Sequence, residues 1–407
     1  MKSTGSLCLF LCLSAHAAII RVPQNQLTIQ AAINAAHPGD TVVVAPGTYY
    51  ENISFLGKNI IVKSSQGPKV TTIDGGNLAT VVTFDMYETN AAVLQGFTIQ
   101  HGSASYDGGG IYVDYASPRI TRNVIANNTA CGSGPGIALE FSSAWLESNI
   151  IKNNSEAGCT GGSGGGLFVG GLGYAHILGN VIQNNTANFG GGVGILASSP
   201  SLVNNVIHSN VANASPSQGG GVWMIDGDYP VLLQNLIYNN TAAEGSGVYF
   251  SGLGDGPGSQ FVSNTIIGTK SSPQGSALYV LIYQPQVQIA NNILIGARGT
   301  NAVYCSPASG TIPAEVNNND AYSPAGSGLG GACASQAGQD GNLSVDPLFL
   351  GSTFRPQPGS PVIDAGDDSA LALSADLAGN PRVVDGLDND GDGVIDMGVY
   401  EYQPPAN

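Results

Sequence analysis

Two acidic residues occupy the same position in neighbouring copies of a repeat in this sequence. Asp114 and Glu140 each stand three residues after the apolar residue that follows a run of glycines. Two carboxylates about 5 Å apart are the layout of a retaining glycosidase, and like charges at that distance raise the pKa of one of them. A cation site, or two solvated surface acids, explains the pair as well, so all three interpretations stay open.

A column of aromatic residues is aligned with this pair, two positions earlier in the repeat. Its members are Tyr112, Phe168, Trp223, Tyr249 and Tyr279. Rings aligned on one outer face predict stacking against sugar rings, because each offers apolar area and, for Tyr and Trp, a polar tip. Cross-strand stacking that only stabilises the sheet would use the same residues.

An acidic motif near the C-terminus has the layout of a calcium loop. Acids stand at positions 1, 3, 5 and 9 of the stretch 388–396, with Gly393 at position 6. Val399 stands at position 12, where an EF-hand has Glu, which excludes an EF-hand proper. We expect a structural Ca²⁺ that holds the C-terminal region, with a plain acidic turn as the alternative. The predicted ligands are Asp385, Asp388, Asp390, Asp392 and Asp396.

The elements that position these residues are copies of one repeat. A phrase of Asn followed by two residues, the second apolar, recurs throughout the middle of the chain, and short apolar stretches are cut by Gly, Asn and Ser. Short apolar stretches interrupted by these residues favour strands and turns over helices. No single copy buries its apolar face alone, whereas coils stacked about 4.8 Å apart bury it continuously. The predicted fold is all-β, a right-handed parallel β-helix solenoid. The phrase begins at Asn123, Asn149, Asn180, Asn205, Asn235, Asn264 and Asn292.

The recurring asparagine has a structural role in this fold. It points inward at a corner, where its amide bonds to backbone and to the Asn of the next coil. A buried amide without such partners costs roughly 1 to 3 kcal/mol. The glycines permit positive φ at the next corner.

A short helix is predicted at the N-terminal end of the solenoid. The pattern from Leu27 to Ala36 is helical, with Thr28 as a possible N-cap and Pro38 and Gly39 as the stop. Such a helix covers the open end of the first coil, which otherwise exposes unpaired strand edges.

Two stretches carry a resemblance to known families. Residues 28–33, 38–42, 46–49 and 51–53 resemble the entry module of secreted right-handed parallel β-helix proteins of the pectin-lyase-like superfamily. From Asp346, the sequence is similar to the C-terminal region of the choice-of-anchor Q proteins. Members of that group often carry a sorting segment after the final Glu, and none follows Glu401, so simple secretion is expected. The Gly-His-Gly and Arg-Ile-Lys motifs of polygalacturonase-type hydrolases do not occur.

The first 17 residues are those of a secretory signal. An apolar run over 7–13 and the triplet Ala15-His16-Ala17 predict cleavage after Ala17, and the run is too short to span a membrane. Four cysteines remain, an even number for an oxidising compartment. Two disulfides are expected, each joining loops one coil apart, and free buried thiols are the alternative. The expected pairs are Cys131 with Cys159 and Cys305 with Cys333.

The acidic composition of the chain restricts the classes of partner that it can bind. The chain has 407 residues, a formal net charge of −16 and only 10 % charged residues. Such acidity argues against nucleic acid, anionic lipid surfaces and unassisted binding of polyanionic sugars. The expected organisation is a signal over 1–17, a β-helix over 18–350 and a C-terminal cap region over 351–407, in a monomer without a transmembrane segment.

These features predict a secreted or cell-surface protein that recognises extracellular polysaccharide or a cell-surface glycan along its outer aromatic face. Whether it is an enzyme stays open: a polysaccharide lyase or glycoside hydrolase is one alternative. A non-catalytic adhesin or structural protein is the other.

Overall fold

Three long parallel sheets form the body of the chain. The computed structural model describes residues 17–226, 229–253, 258–269, 275–284, 287–307, 314–370, 373–386 and 393–404. Within these residues each coil from Thr41 onward contributes one strand to each long sheet, and every strand pairs in parallel with the strands one coil away. The chain is therefore a parallel β-helix, as expected. The signal segment lies outside the described residues, apart from Ala17.

Sheet A comprises, among the described residues, Ile19–Val22, Thr41–Val44, Ile61–Ser64, Val93–Gln95, Arg119–Thr121, Trp145–Glu147, His176–Leu178, Ser201–Val203, Val231–Leu233, Gln260–Val262, Gln288–Ala290 and Glu315–Asn317. Sheet B comprises Gly47–Tyr50, Thr71–Asp74, Thr98–Gln100, Val124–Ala126, Ile150–Lys152, Val181–Gln183, Val206–His208, Leu236–Tyr238, Thr265–Ile267, Ile293–Ile295 and Asp320–Tyr322.

Sheet C comprises Ile53–Ser54, Val82–Phe84, Ile111–Asp114, Ile137–Glu140, Leu167–Gly170, Val193–Leu196, Val222–Ile225, Val248–Leu253, Leu278–Gln284, Asn301–Cys305 and Ser327–Gly331. A short sheet D lies between sheets B and C and comprises Ser103–Ala104, Thr129–Ala130, Ser155–Glu156, Thr186–Ala187 and Val211–Ala212.

The register places equivalent residues of successive repeats side by side. Ile111 pairs with Ile137, and Ile137 pairs with Leu167. The apolar face of the repeat is buried as expected, because parallel strands in register put the same face of every coil into the core.

The asparagine column forms the predicted ladder. Asn205 donates from Nδ2 to the carbonyl of Ile177 at 2.8 Å and to Oδ1 of Asn235 at 3.0 Å, and its own Oδ1 accepts from Asn180. A second ladder, which the sequence analysis missed, runs at the corner between sheets B and C. Its members are Asn128, Asn154, Asn185, Asn210 and Asn240.

One glycine in each corner before the strands of sheet C from Ile111–Asp114 to Leu278–Gln284 has a left-handed backbone. Gly190 has φ +57°, and a side chain there would collide with the carbonyl oxygen of Val193. This explains why the glycine recurs with every coil.

The N-terminal helix spans Ile29–Ala35 and is capped as predicted. The Thr28 side chain accepts from the backbone N–H of Ala31 at 3.1 Å, and Ile29 and Ile33 are buried against the first coil. A single 3₁₀ turn, Ala334–Gln336, follows the last strand of sheet C within the described residues. None of the described helices has the length and hydropathy of a membrane span.

Both predicted disulfides are present. Cys131 bonds to Cys159 with Cα atoms 5.2 Å apart, and Cys305 bonds to Cys333 with Cα atoms 5.5 Å apart. Each bond joins adjacent coils, as the repeat length predicts.

The C-terminal region packs along the flank of the solenoid. The Val399 N–H donates to Thr265 Oγ1 at 3.1 Å, and Asn291 Nδ2 donates to the carbonyl of Asp367 at 2.9 Å. A third contact joins Arg382 Nη1 to Gln234 Oε1 at 3.1 Å. Since these partners belong to successive coils, the region that was expected to form a cap lies along the outside of the solenoid beside sheet B.

Candidate functional site

Three acidic side chains follow one another across three coils of sheet C. Asp114 pairs in register with Glu140, so the predicted pair is adjacent. Asp85 follows Phe84, which pairs with Val113, so Asp85 stands beside Asp114 on the other side. The next coil has Gly170 at this position, and the column of acids ends there.

A fourth carboxylate comes from the loop before sheet C. Asp107 is held by a hydrogen bond from the backbone N–H of Ser133, one coil away. Its charge acts on both Glu140 and Tyr112. The loop therefore closes the acidic cluster from one side.

Burial and mutual repulsion shift these groups. Burial, with the charges of Asp107 and Asp114, raises the pKa of Glu140 to about 7. Burial and the charge of Asp85 raise the pKa of Asp114. Burial and the surrounding carboxylates raise the pKa of Tyr112 to about 12. A carboxyl that titrates near neutral pH suits general acid or base chemistry, and Tyr112 stays a hydrogen-bond donor.

A cavity of about 520 Å³ adjoins the acidic cluster at Asp107 and Tyr112. Its volume is that of a small-ligand site. The lining mixes aromatic, apolar and hydroxyl groups: Leu78, Ala79, Thr80, Ser103, Ala104, Ser105, Tyr106, Asp107 and Tyr112.

The predicted aromatic face is aligned but mostly covered. Tyr112 is in register with the positions of Phe168, Trp223, Tyr249 and Tyr279. However, Phe168, Trp223 and Tyr249 are at most 8 % exposed.

The covering of this face has a physical cause. Phe189, from the loop before sheet C, stacks on Trp223 with ring centroids 5.5 Å apart. Tyr249 stacks on Tyr279 at 5.1 Å and 10°. The expectation of an open sugar platform along the whole column was wrong for its middle, where the rings stack on one another and on the loops. Tyr112, at one end, keeps access to the cavity.

Exposed rings lie at the corner directly after the strands of sheet C, and the sequence analysis missed them. Tyr87, Tyr115 and Phe141 are between 47 % and 76 % exposed. Tyr115 stacks on Phe141 with centroids 4.5 Å apart and planes 6° apart. Tyr115 and Phe141 directly follow the acids Asp114 and Glu140, and this repeated acid–aromatic pair was the available signal.

The predicted calcium ligands are only partly described. Asp388, Asp390 and Asp392 lie outside the described residues. Asp396 accepts hydrogen bonds from the backbone N–H groups of Asp364 and Tyr402. Within the described ranges, no three His, Cys, Asp or Glu side chains are grouped so as to hold a metal ion. The ligand set, which includes Asp385, stays a prediction.

Comparison with known proteins gives a family and a fold. The profile of the family described as periplasmic copper-binding protein (NosD) matches residues 33–241, just over half of the 407 residues. The profile described as right handed beta helix region matches residues 165–345. Among curated proteins, none matches the chain at a significant level.

Solved structures share the architecture at low identity. Pectate lyase Pel9A superposes with a TM-score of 0.53 at 15 % identity, over 95 % of this chain and 96 % of that chain. A mannuronic acid specific polysaccharide family 6 lyase from human gut microbiota gives 0.43 at 15 % identity, over 79 % and 85 %. The A-module of the mannuronan C-5 epimerase AlgE6 of Azotobacter vinelandii gives 0.28 at 16 % identity, over 78 % and 94 %. The likeness to pectate lyase Pel9A establishes the fold alone.

Proposed function

The chain belongs to the NosD family, whose description is periplasmic, and from the outer face of sheet C we propose that it binds polysaccharide outside the cytoplasm. The observation that carries the proposal is the cavity beside Tyr106 and Tyr112, where exposed aromatic surface, hydroxyl groups and carboxylates meet. Sugar rings offer apolar faces for the tyrosines and hydroxyl groups for the acids.

The charge of the site selects among polysaccharides. Asp85, Asp107, Asp114 and Glu140 all act on Tyr112, and the chain carries a formal net charge of −16. A uronate chain would be repelled here unless cations intervened. The proposed ligand is therefore a neutral polysaccharide.

The location is proposed to be secreted or cell-surface. Two disulfides join adjacent coils, and such bonds persist in oxidising compartments. The family description, periplasmic, agrees with a site of action outside the cytoplasm.

Copper has no part in this proposal, because the described donor groups do not fit it. The described cysteines are all in disulfides, and of the described methionines Met224 and Met397 are fully buried while Met86 is exposed. His37 and His101 lie beside carboxylates, while His176 and His208 stack on Trp and Tyr rings in different places. Among the residues that the structure describes, no three His, Cys, Asp or Glu side chains are grouped so as to hold a metal ion.

Hydrolysis is a second candidate, favoured by the adjacency of Asp114 and Glu140. With Glu140, whose pKa is raised to about 7, as the acid and Asp114 as the nucleophile, the pair has the form of a retaining glycosidase on neighbouring coils. Glu140 would protonate the glycosidic oxygen as its bond to the anomeric carbon breaks and the Asp114 carboxylate bonds to that carbon. A water that gives a proton to Glu140 would then displace Asp114 and release the sugar.

Binding to a panel of polysaccharides tests the proposal. The panel holds neutral glucans, mannans and xylans, with alginate and polygalacturonate as anionic comparisons. We expect saturable binding of a neutral polymer and a loss of roughly tenfold in affinity for Tyr106→Ala, which removes an exposed ring from the cavity. Tyr50→Ala removes an exposed ring from sheet B and serves as the control.

Absence of binding across the whole panel would overturn the proposal in favour of an adhesin or structural protein with another partner. Release of reducing ends by the wild-type chain, abolished in Glu140→Gln, would establish hydrolysis. A polymer that is bound but never cleaved would retire the hydrolase.

A further inference from the structure

The structure contains a second aromatic cleft, separate from the cavity on sheet C. It lies where the corner after sheet C meets the outer face of sheet A, and its volume is about 530 Å³. The lining residues are Tyr87, Glu88, Thr89, Asn90, Tyr115, Ser117, Ser143, Trp145 and His176. It shares none of them with the cavity of the proposed polysaccharide site.

Two sets of rings from different elements line the cleft. Tyr87 and Tyr115 come from the corner, with centroids 6.4 Å apart. Trp145 and His176 come from adjacent strands of sheet A, with centroids 4.3 Å apart. The coil register fixes both sets, so the cleft is built by the solenoid and needs no rearrangement to form.

The charged side chains in and beside the cleft, Glu88 and Arg119, already have partners within the protein. Glu88 is buried, and its two oxygens accept from the backbone N–H groups of Gly57 and Met86 at 2.8 and 3.0 Å. Arg119, beside Trp145 in the sheet, is paired with Glu147 at 2.7 Å. The other polar side chains of the lining are hydroxyls, the amide of Asn90 and the imidazole of His176, and the hydroxyls of Ser117 and Thr89 accept from backbone N–H groups.

These features narrow the ligand class. Aromatic rings interleaved with hydroxyl and amide groups suit a molecule that is apolar on its ring faces and polar around its edge. No lysine or arginine is among the lining residues and Glu88 is a carboxylate, which disfavours a uronate or phosphate group. A volume of about 530 Å³ is that of a short ligand, not of a folded partner.

We infer that this cleft is a second carbohydrate site, which binds a short segment of a neutral oligosaccharide between Tyr115 and Trp145. The inference goes beyond the polysaccharide site on sheet C and does not depend on it. Two sites on one rigid solenoid would engage one polymer at two points and raise the overall affinity.

Tryptophan fluorescence tests the inference directly. The chain has two tryptophans, and Trp223 is buried while Trp145 is exposed in the cleft, so acrylamide quenching reports mainly on Trp145. Neutral oligosaccharides of two to six units are titrated against the full chain. We expect saturable protection of Trp145 from acrylamide, and no protection by oligouronates.

Variants separate this cleft from the other site. Tyr115→Ala should weaken the protection roughly tenfold, and Ser143→Leu, which narrows the cleft without removing a ring, should do the same. Tyr106→Ala should leave the Trp145 signal unchanged while weakening polymer binding at sheet C, and Tyr50→Ala should change neither. Circular dichroism confirms that each variant is folded.

Failure to protect Trp145 with any neutral oligosaccharide would overturn the inference, whatever the sheet C site does. Equal protection in wild type, Tyr115→Ala and Ser143→Leu would overturn it too, since the signal would then arise elsewhere.

Discussion

At the scale of single residues, Glu140 has the most informative environment. It is adjacent to Asp114 and near Asp107, and burial with these charges raises its pKa from 4.5 to about 7. The folded chain therefore holds this proton more tightly than the unfolded chain does. The stability that this proton contributes is complete below about pH 4.5 and is lost as the pH rises through about 7.

Glu140→Gln should remove this part of the pH dependence. We expect the variant and wild type to melt alike near pH 4.5 and the variant to melt higher at pH 8, because Gln cannot ionise beside Asp107 and Asp114. Calorimetry across this range measures the difference. The control is Glu315→Gln, because Glu315 is an exposed carboxylate on the last strand of sheet A, far from Glu140. A constant difference at all pH values would contradict the assignment.

The asparagine ladder predicts a large stability effect from one amide. Asn205→Ala removes the side-chain bonds to Ile177, Asn180 and Asn235, and the buried backbone N–H of Asn180 loses the oxygen to which it donates. We expect a loss of about 2 to 4 kcal/mol in the free energy of unfolding, measured by denaturant titration. Asn213→Ala, at an exposed loop position, should cost little. Equal effects of the two substitutions would show that the ladder does not stabilise the fold.

At the scale of elements, the buried Arg382 connects the C-terminal region to the solenoid. It donates to Gln234 Oε1 and to the carbonyls of Gly398 and Asp396, and lies 3.5 Å from Glu401. Burial lowers the Arg382 pKa and the nearby acids oppose that shift, while burial raises the pKa of Glu401. The arginine is thus the main charge that balances this acidic region.

Arg382→Met should loosen the C-terminal region selectively. Removing one partner of a buried ion pair costs about 3 to 5 kcal/mol, so the backbone amides of residues 376–402 should exchange faster with solvent while those of sheet C do not. Hydrogen exchange with mass spectrometry measures both. Arg298→Met, at an exposed position, is the control. Unchanged exchange over 376–402 would refute the connecting role.

Calcium should act on the same region. The motif 388–396 predicts that Ca²⁺ raises the melting temperature of the C-terminal region and that EDTA reverses the rise. Asp390→Asn should abolish the effect, because it weakens the predicted ligand set. A melting temperature independent of Ca²⁺ would leave the motif as an acidic turn.

What the sequence predicted depends on whether a feature repeats. Four features follow from the coil spacing: the buried apolar face, the asparagine ladder that includes Asn123, both disulfides, and the adjacency of Asp114 and Glu140. The burial of Trp223 did not, because Phe189 comes from a variable loop whose path the repeat does not specify. Tyr115 has φ +46°, outside the strand alternation, so the period gave no direction for its ring. The contact between Arg382 and Gln234 joins residues 148 apart, and Arg382 lies outside the repeat, so the repeat spacing could not predict it.

At the scale of the whole molecule, the solenoid is a rigid rod with a chemically distinct strip on one side. The acidic cavity and the aromatic cleft both lie on the early coils, while the later coils of sheet C carry stacked rings and the C-terminal region contacts the later coils beside sheet B. The net charge of −16 disfavours the approach of anionic polymers, which is why the proposed ligand is a neutral one.

Carboxyl footprinting of the full chain with its bound neutral polysaccharide tests the central claim most directly. Carbodiimide labelling is followed at Asp107, which lines the cavity, at Asp114, whose charge acts on the lining residue Tyr112, and at the distant Glu315. We predict that the polysaccharide slows labelling of the first two several-fold and leaves Glu315 unchanged. Unchanged labelling of Asp107 and Asp114 at saturating polysaccharide would contradict the claim that this face of sheet C is the binding site.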